Sequence, residues 1–361
     1  MHFRPFGADS LYTSRLPLAC RHCRRGAKMV LFITGRCDQG CFYCPLSARK
    51  KGSDSVYANE LLVQDEADVL EEARLIKATG TGITGGDPLC VPDRTVRYIR
   101  LLKSRFGGTH HIHLYTSTVD PSLFRELEKA GLDELRIHPM VKNWTRLDDL
   151  KIAEAVRDLD IPVGFEVPAI PGMEKETAAL IRYAQANIFD FVNLNELEFS
   201  ETNAEKLKQK GFEIRDDLSS AVKGSAEMAV MLTLDDAFNV PIHFCSSKFK
   251  DRVQLRNRIM RRGRSIARDM DVLTDEGTLI KGVIETNDPL GAGRMLGEQY
   301  DVPANLLHID TDARRLEVAP WVLEEIAKEL PWNCYMVEEY PTADRLEVER
   351  RPLNQIKVRR K

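Results

Sequence analysis

MVLFITGRCDQGCFYC, residues 29–44, is the stretch from which the rest of the chain is read. Its first six residues, MVLFIT, form a continuous apolar run, the pattern of a strand buried on both faces. The ten that follow crowd Cys37, Cys41 and Cys44 into eight positions. Three thiolates in so short a loop can fill three corners of a metal cluster but cannot supply the fourth. One metal therefore stays open to a further ligand, and an open site signals chemistry more often than scaffolding.

Working outward from that strand, helical and strand-like segments alternate. DEADVLEEARLIKA (65–78) carries apolar residues at helical spacing and is closed by Gly80 and Gly82. GITGG (82–86) then precedes a helical TVRYIRLLKSRF ending at Gly107. HIHLYT, closing at Thr116, precedes PSLFRELEKAG, where Pro121 suits a first helical turn and Gly131 a C-cap. ELRIHP (134–139), VGFEVPAIPG (163–172), DFVNLNELE (190–198) and VPIHFC (240–245) continue the strand series, with helices expected near 145–157, 174–187 and 219–235. Such alternation predicts a parallel sheet with right-handed crossovers, either open and doubly wound or curled into a full or partial barrel.

Polar residues favour the barrel. The cysteine loop, Gly86 with Asp87, Thr116 to Thr118, His138, Glu166, Asn195 with Glu196, and Cys245 all fall at or near the C-terminal ends of expected strands. A barrel gathers its site residues there, whereas a doubly wound sheet concentrates them at one switch point. Beyond Cys245, KFKDRVQLRNRIMRRGRSIAR (248–268) holds nine Lys or Arg and one acid, after which the alternation is lost. Three segments are expected: an N-terminal extension over 1–28, a core barrel over 29–246, and a basic segment with a small α+β appendage over 247–361.

Composition sets the outer limits. With 361 residues, 43% of them hydrophobic, the chain can bury one large α/β core and a smaller appendage. The opening MHFRPFGADSLYTSRL lacks a continuous apolar stretch, so neither a secretory signal nor a membrane anchor is expected. Eight clustered cysteines suit metal ligation in a reducing compartment better than a disulfide framework, which predicts a cytoplasmic protein with no membrane partner. A net charge of −3 gives no global bias toward nucleic acid.

CDQGCFYC has the C-x3-C-x2-C spacing, with an aromatic before the last cysteine, and in this it resembles the radical S-adenosylmethionine (radical SAM) superfamily. The resemblance implies a partial (β/α)6 TIM-like barrel in which Cys37, Cys41 and Cys44 hold a [4Fe-4S] cluster. The open iron would bind the amino and carboxylate groups of S-adenosylmethionine (SAM). An electron from a donor such as flavodoxin or ferredoxin would then split SAM into methionine and a 5′-deoxyadenosyl radical that abstracts hydrogen from a substrate. A zinc site completed by Cys20, Cys23 or a histidine is the plainer alternative for the triplet.

The same resemblance places a glycine-rich segment at the end of the second strand, here Gly85, Gly86, Asp87 and Pro88, with Asp87 where glutamate is commoner. By position it adds Thr116, Thr118, His138, Glu166 and Asn195 as cofactor contacts. TGRCDQGCFYC and TGITGGDPL are most like a group described as related to pyruvate formate-lyase activating enzymes, which implies a protein or peptide substrate. RNA or a nucleotide-like molecule is the second reading, favoured if the basic segment lines the barrel mouth. A non-catalytic zinc- or cluster-binding interaction protein is the third. Cys20, Cys23 and Cys245 form a candidate second metal site, an auxiliary iron-sulfur cluster or zinc, with Cys90, His22 or His243 as fourth ligand. Buried free thiols are the alternative there.

Overall fold

The structure, a computed structural model, describes residues 3–354 except 188, 217 and 218, so the outer ends of both terminal segments lie outside the described residues. The chain divides into two compact units, Met1–Leu255 and Arg256–Lys361.

In the first unit the expected alternation is present. β1 (Phe3–Gly7) and β2 (Ser10–Thr13) form a hairpin and α1 (Leu18–Arg24) follows. The repeating part then runs β3 (Lys28–Phe32), α2 (Glu66–Leu75), β4 (Gly80–Thr84), α3 (Pro92–Phe106), β5 (His111–Thr116), α4 (Pro121–Ala130), β6 (Glu134–Ile137) and α5 (Ile152–Val156). It continues through β7 (Val163–Ala169), α6 (Glu174–Ala186), β8 (Phe191–Glu196), α7 (Ala204–Gln209), α8 (Ser225–Thr233) and β9 (Ile242–Cys245). Local chemistry sets several of these boundaries. The Asp65 carboxylate caps α2 in a reciprocal capping box with Asp68, Asp120 caps α4 ahead of Pro121, and Gly131 ends α4 at φ 109°, where a side chain would be strained.

Strands β3 to β9 pair in parallel in chain order. The outer edges of this arc pair with antiparallel strands, β3 with Tyr57–Ala58 and β9 with β2, so the sheet is a partial barrel with β9 as a seventh parallel strand. Alternate residues of each strand divide between its faces. Leu31, Ile83, Leu114, Leu135, Phe165, Leu194 and Phe244 join one large apolar core, while Lys28, Thr84, Tyr115, Arg136, Glu166, Asn193, Asn195 and His243 line the interior. The barrel is thus polar inside.

Two expected helices are corrected. The segment 145–157 forms a short 3-10 turn, Leu147–Leu150, and the five-residue α5, separated by Lys151 in the left-handed region at φ 52°. In 219–235, Ser219–Val222 is a strand paired with Ile214–Asp216, and Gly224 at φ 86° admits the helix only from Ser225.

The second unit is α+β. Leu279–Glu285, Arg315–Val318 and Asn333–Glu339 are central strands of an antiparallel sheet, and helices Pro289–Gln299 and Pro320–Ile326 cover the apolar core of Ile284, Leu296, Leu316, Leu323 and Cys334. Among the described residues, no helix is long and apolar enough to cross a membrane.

Candidate active site

The loop after β3 carries the cysteine triplet, and the ends of β3 and β4 hold it. Gly86 N–H donates to the Thr34 carbonyl at 2.7 Å and Asp87 N–H to the Arg36 carbonyl at 2.8 Å. The approach is so close that a Cβ on Gly86 would lie 2.3 Å from the Arg36 oxygen, and one on Gly85 2.6 Å from that of Thr34. These glycines are required by packing against the loop, whatever else their backbone contacts. From the opposite side, Asn203 donates to the Tyr43 carbonyl at 3.0 Å and Thr202 to that of Leu46 at 2.6 Å.

All three cysteines are free thiols lining a cavity of about 590 Å³, a size that suits a small-molecule ligand. Cys37 Sγ accepts the Gln39 N–H at 3.4 Å. Burial pushes the Cys37 thiol up to about 11, with that N–H working against it, so ligation would release a proton. Gly85, Gly86, Thr116, His138, Glu166 and Asn195 line the same cavity. A donor set of three soft sulfurs in one loop, facing a cleft walled by polar groups from β4 to β8, fits a thiolate-bound iron cluster with a ligand beside it.

Three of the expected contacts sit behind that wall. Asp87 is buried and its carboxylate takes five donors: Leu89 N–H, Thr116 Oγ1 at 2.7 Å, Ser117 N–H, Thr118 N–H and Thr118 Oγ1 at 3.0 Å. The side chain ties the end of β4 to the end of β5, and neither Asp87, Pro88 nor Thr118 lines the cavity. Thr116 lines it but spends its hydroxyl proton on Asp87.

His138 hydrogen-bonds the Glu166 carbonyl through Nδ1 at 2.8 Å and the Tyr43 hydroxyl through Nε2 at 3.0 Å. A carbonyl only accepts, so Nδ1 carries the proton and Nε2 accepts from Tyr43. Burial holds His138 below the ordinary imidazole range, the Glu166 carbonyl offsetting part of it. Deeper in the barrel, Arg136 lies between Glu134, 2.5 Å away, and Glu166; Arg136 and Glu134 are each 2% exposed. Burial alone would raise Glu166, but Arg136 and the Asn195 and Asn193 amides outweigh it and hold the carboxyl at about 2. It is an anion fixed in place.

Tyr43, Tyr115 and Lys250 also line the cavity and were not assigned a role from sequence. Lys250 belongs to the basic run, where it pairs with Glu198 at 2.9 Å. Lys248 pairs with Asp9 and Arg256 with Glu276, so these members of the run are held by acids within their own units.

Cys20, Cys23 and Cys245 gather at a second cavity of about 280 Å³, which shares Thr84, Tyr115, Glu166, Asn195 and Lys250 with the first. Of the three fourth ligands considered, His243 lines it, whereas His22 bonds Thr79 and Cys90 lies beside Asp87 and Asp38. Neither cysteine set converges on one point: among the described residues, no three His, Cys, Asp or Glu side chains are placed to hold a single metal ion.

A parallel partial barrel whose first loop turns three free thiols toward a cofactor-sized cleft defines a class, and residues 31–184 match the family described as the Radical SAM superfamily. The chain belongs to this superfamily and is a radical SAM enzyme, whose family implies SAM and a [4Fe-4S] cluster. Within it the chain is activating-enzyme-like. It is 37% identical over 368 residues, 96% of each chain, to a protein of Methanocaldococcus jannaschii provisionally named a glycyl-radical enzyme activating enzyme. Residues 277–353 match a domain of unknown function, DUF8061. Among solved structures, Streptococcus suis SuiB bound to precursor peptide SuiA aligns at TM-score 0.44 with 14% identity, over 62% of this chain and 50% of that one. Methylornithine synthase (PylB) aligns at TM-score 0.41 with 14% identity, over 58% of this chain and 65% of that one.

Proposed function

We propose that the chain binds a [4Fe-4S] cluster through Cys37, Cys41 and Cys44 and uses SAM, held in the 590 Å³ cavity, to abstract hydrogen from a protein or peptide substrate. The observation that carries this reading is that the triplet, the strand-end residues Gly85, Gly86, Thr116, His138 and Asn195, and the mid-strand Glu166 line one cavity, although up to 158 positions separate them. When bound and reduced by a one-electron donor such as flavodoxin or ferredoxin, the cluster and SAM supply a 5′-deoxyadenosyl radical.

The chain's own residues bind and orient. Gly85 and Gly86 let the second strand end lie against the cysteine loop, and Asp87 fixes the next strand end beside it. Glu166, anionic and anchored by Arg136, Asn193 and Asn195, presents negative charge to a cationic or hydroxyl-bearing part of the cosubstrate. Tyr43 and His138, locked in one hydrogen-bonding sense, shape the wall behind the triplet. A polypeptide substrate is supported by the name of the 37% identical relative, whose match over 96% of both chains takes in the C-terminal unit as well as the barrel.

The test is anaerobic. Reconstituted, reduced protein incubated with SAM is expected to form 5′-deoxyadenosine and methionine, and C41A to form neither. No product from the wild-type protein refutes the reading. For the substrate class, a partner protein carrying α-deuterated glycine is expected to pass deuterium to the 5′-deoxyadenosine; transfer from RNA alone would favour the second reading instead.

A further inference from the structure

The structure assigns a second iron-sulfur cluster to the cavity lined by Cys20, Cys23 and Cys245, with His243 as its fourth ligand. Two periodicities bring these four side chains together. Cys20 and Cys23 are three residues apart in α1, hence on one helix face. His243 and Cys245 are two apart in β9, hence on one face of the strand. Both pairs look into the same 280 Å³ space, and the sulfurs line its walls rather than meeting at one point. That spacing suits a polynuclear centre better than a lone ion.

Each sulfur already has an N–H donor aimed at it. Arg136 reaches Cys20 Sγ at 3.5 Å and Asn193 at 3.6 Å, Gln254 reaches Cys245 Sγ at 3.6 Å, and Lys28 lies beside Cys23. Thiols accept hydrogen bonds weakly, whereas metal-bound thiolates accept them well, and such donors are the usual outer partners of a cluster. His243 supplies an independent sign. It is 2% exposed, and neither of its ring nitrogens has a hydrogen-bond partner among the described residues. Burying an imidazole with both nitrogens unmet is unfavourable, and a metal bond satisfies one of them.

The assignment stands apart from the reading of the first site, because its readout is metal content and not SAM cleavage. The full chain is reconstituted anaerobically with ferrous iron and sulfide, and iron, sulfide and zinc are counted. About eight irons per chain are expected for the wild type and about four for C37A/C41A/C44A, which leaves the second set intact. About four in the wild type with none in that variant overturns the assignment, as does zinc in place of the second set of irons. Cys20 and Cys245 are buried in packing, so the decisive substitution is at the less buried Cys23. In the C37A/C41A/C44A background, C23S is expected to abolish the remaining reduced-cluster electron paramagnetic resonance signal while leaving the melting temperature of the metal-free protein unchanged. A signal that survives C23S overturns the site. A nitrogen hyperfine coupling on that signal, lost in H243F, is expected from the fourth ligand, and its absence overturns that ligand.

Discussion

At the scale of single residues, the barrel interior depends on a few charges whose partners are far away in the chain. Asp87 is the clearest case, since five donors converge on one carboxylate. In D87N, one side of the group becomes an NH2 that must face Thr118 and the Ser117 and Thr118 amides, leaving buried donors unmet. A loss of about 1–3 kcal/mol is expected in denaturant unfolding. SAM binding should weaken with it as the β5 end drifts, and unchanged stability would remove the clamp role. Glu166 gives a pH signature. Its folded carboxyl titrates at about 2 against an ordinary 4.5, so its contribution is present in full above about pH 5 and is lost as pH falls toward 2. The stability gap between wild type and E166Q should therefore be on the order of 3 kcal/mol at neutral pH. That gap should narrow progressively below pH 5; one that is flat from pH 7 to 4 and persists at pH 3 contradicts the assignment. The sequence places Asp87 and Glu166 near the ends of strands, but their partners lie about thirty positions away. Pairing at that distance is tertiary information with no local pattern.

At the scale of elements, the parallel strands were legible because most are short runs, apolar throughout or at alternate positions, bounded by glycine, proline or polar residues, and the cysteine loop was legible because its spacing is its chemistry. What escaped had weak local signals. In the β1–β2 hairpin only β1 is mostly exposed, but neither strand has an apolar run, so nothing in FRPFGADSLYT announces that it closes one edge of the barrel sheet. Ser219–Val222 merges by composition into the small apolar helix behind it, and only Gly224 marks the break. Asn203 and Thr202, which hold the cysteine loop from the far side, sit in an unremarkable polar turn. The resemblance makes the Gly85–Gly86 step a cofactor contact, and the structure adds a packing reason that is independently testable. In G86A, the new methyl meets the Arg36 carbonyl, and the loop must move by more than a relaxing side chain can absorb. About 1–3 kcal/mol of destabilisation is expected. Iron retained at the Cys37 set should fall while the α6–β8 region keeps its amide-exchange protection. Full iron retention in G86A would show that the loop tolerates the shift.

At the scale of the whole molecule, the chain holds two cores with different logic. The first unit buries apolar residues beneath helices and reserves its interior for polar chemistry, whereas the sheet of the second unit buries a charge network beside an apolar core. Arg315 joins Glu317 and Glu339 at 2.7 Å each, Lys281 pairs with Glu339 and Glu317, and Arg345 reaches Asp310 at 2.7 Å. Burial alone would raise Glu317, but Lys281, Arg268 and Arg315 hold its carboxyl below the ordinary range. Such a network contributes little relative to a well-packed apolar replacement, yet removing one cation strands the opposing carboxylates in a dry setting. R315M takes away the guanidinium that bridges Glu317 and Glu339, while Lys281 and Arg345 compensate only in part. A loss of about 3–5 kcal/mol is expected. Hydrogen exchange should place it as lost protection along Leu279–Glu285, Arg315–Val318 and Asn333–Glu339, the strands that carry the network. The double replacement of Arg315 and Glu317 by methionine and leucine should recover part of the loss, since it removes one of the two carboxylates that Arg315 bridges while Arg268 keeps Asp271 and Lys281 keeps Glu339. If the double variant is as unstable as R315M, the loss comes from packing of the arginine stem rather than from uncompensated charge.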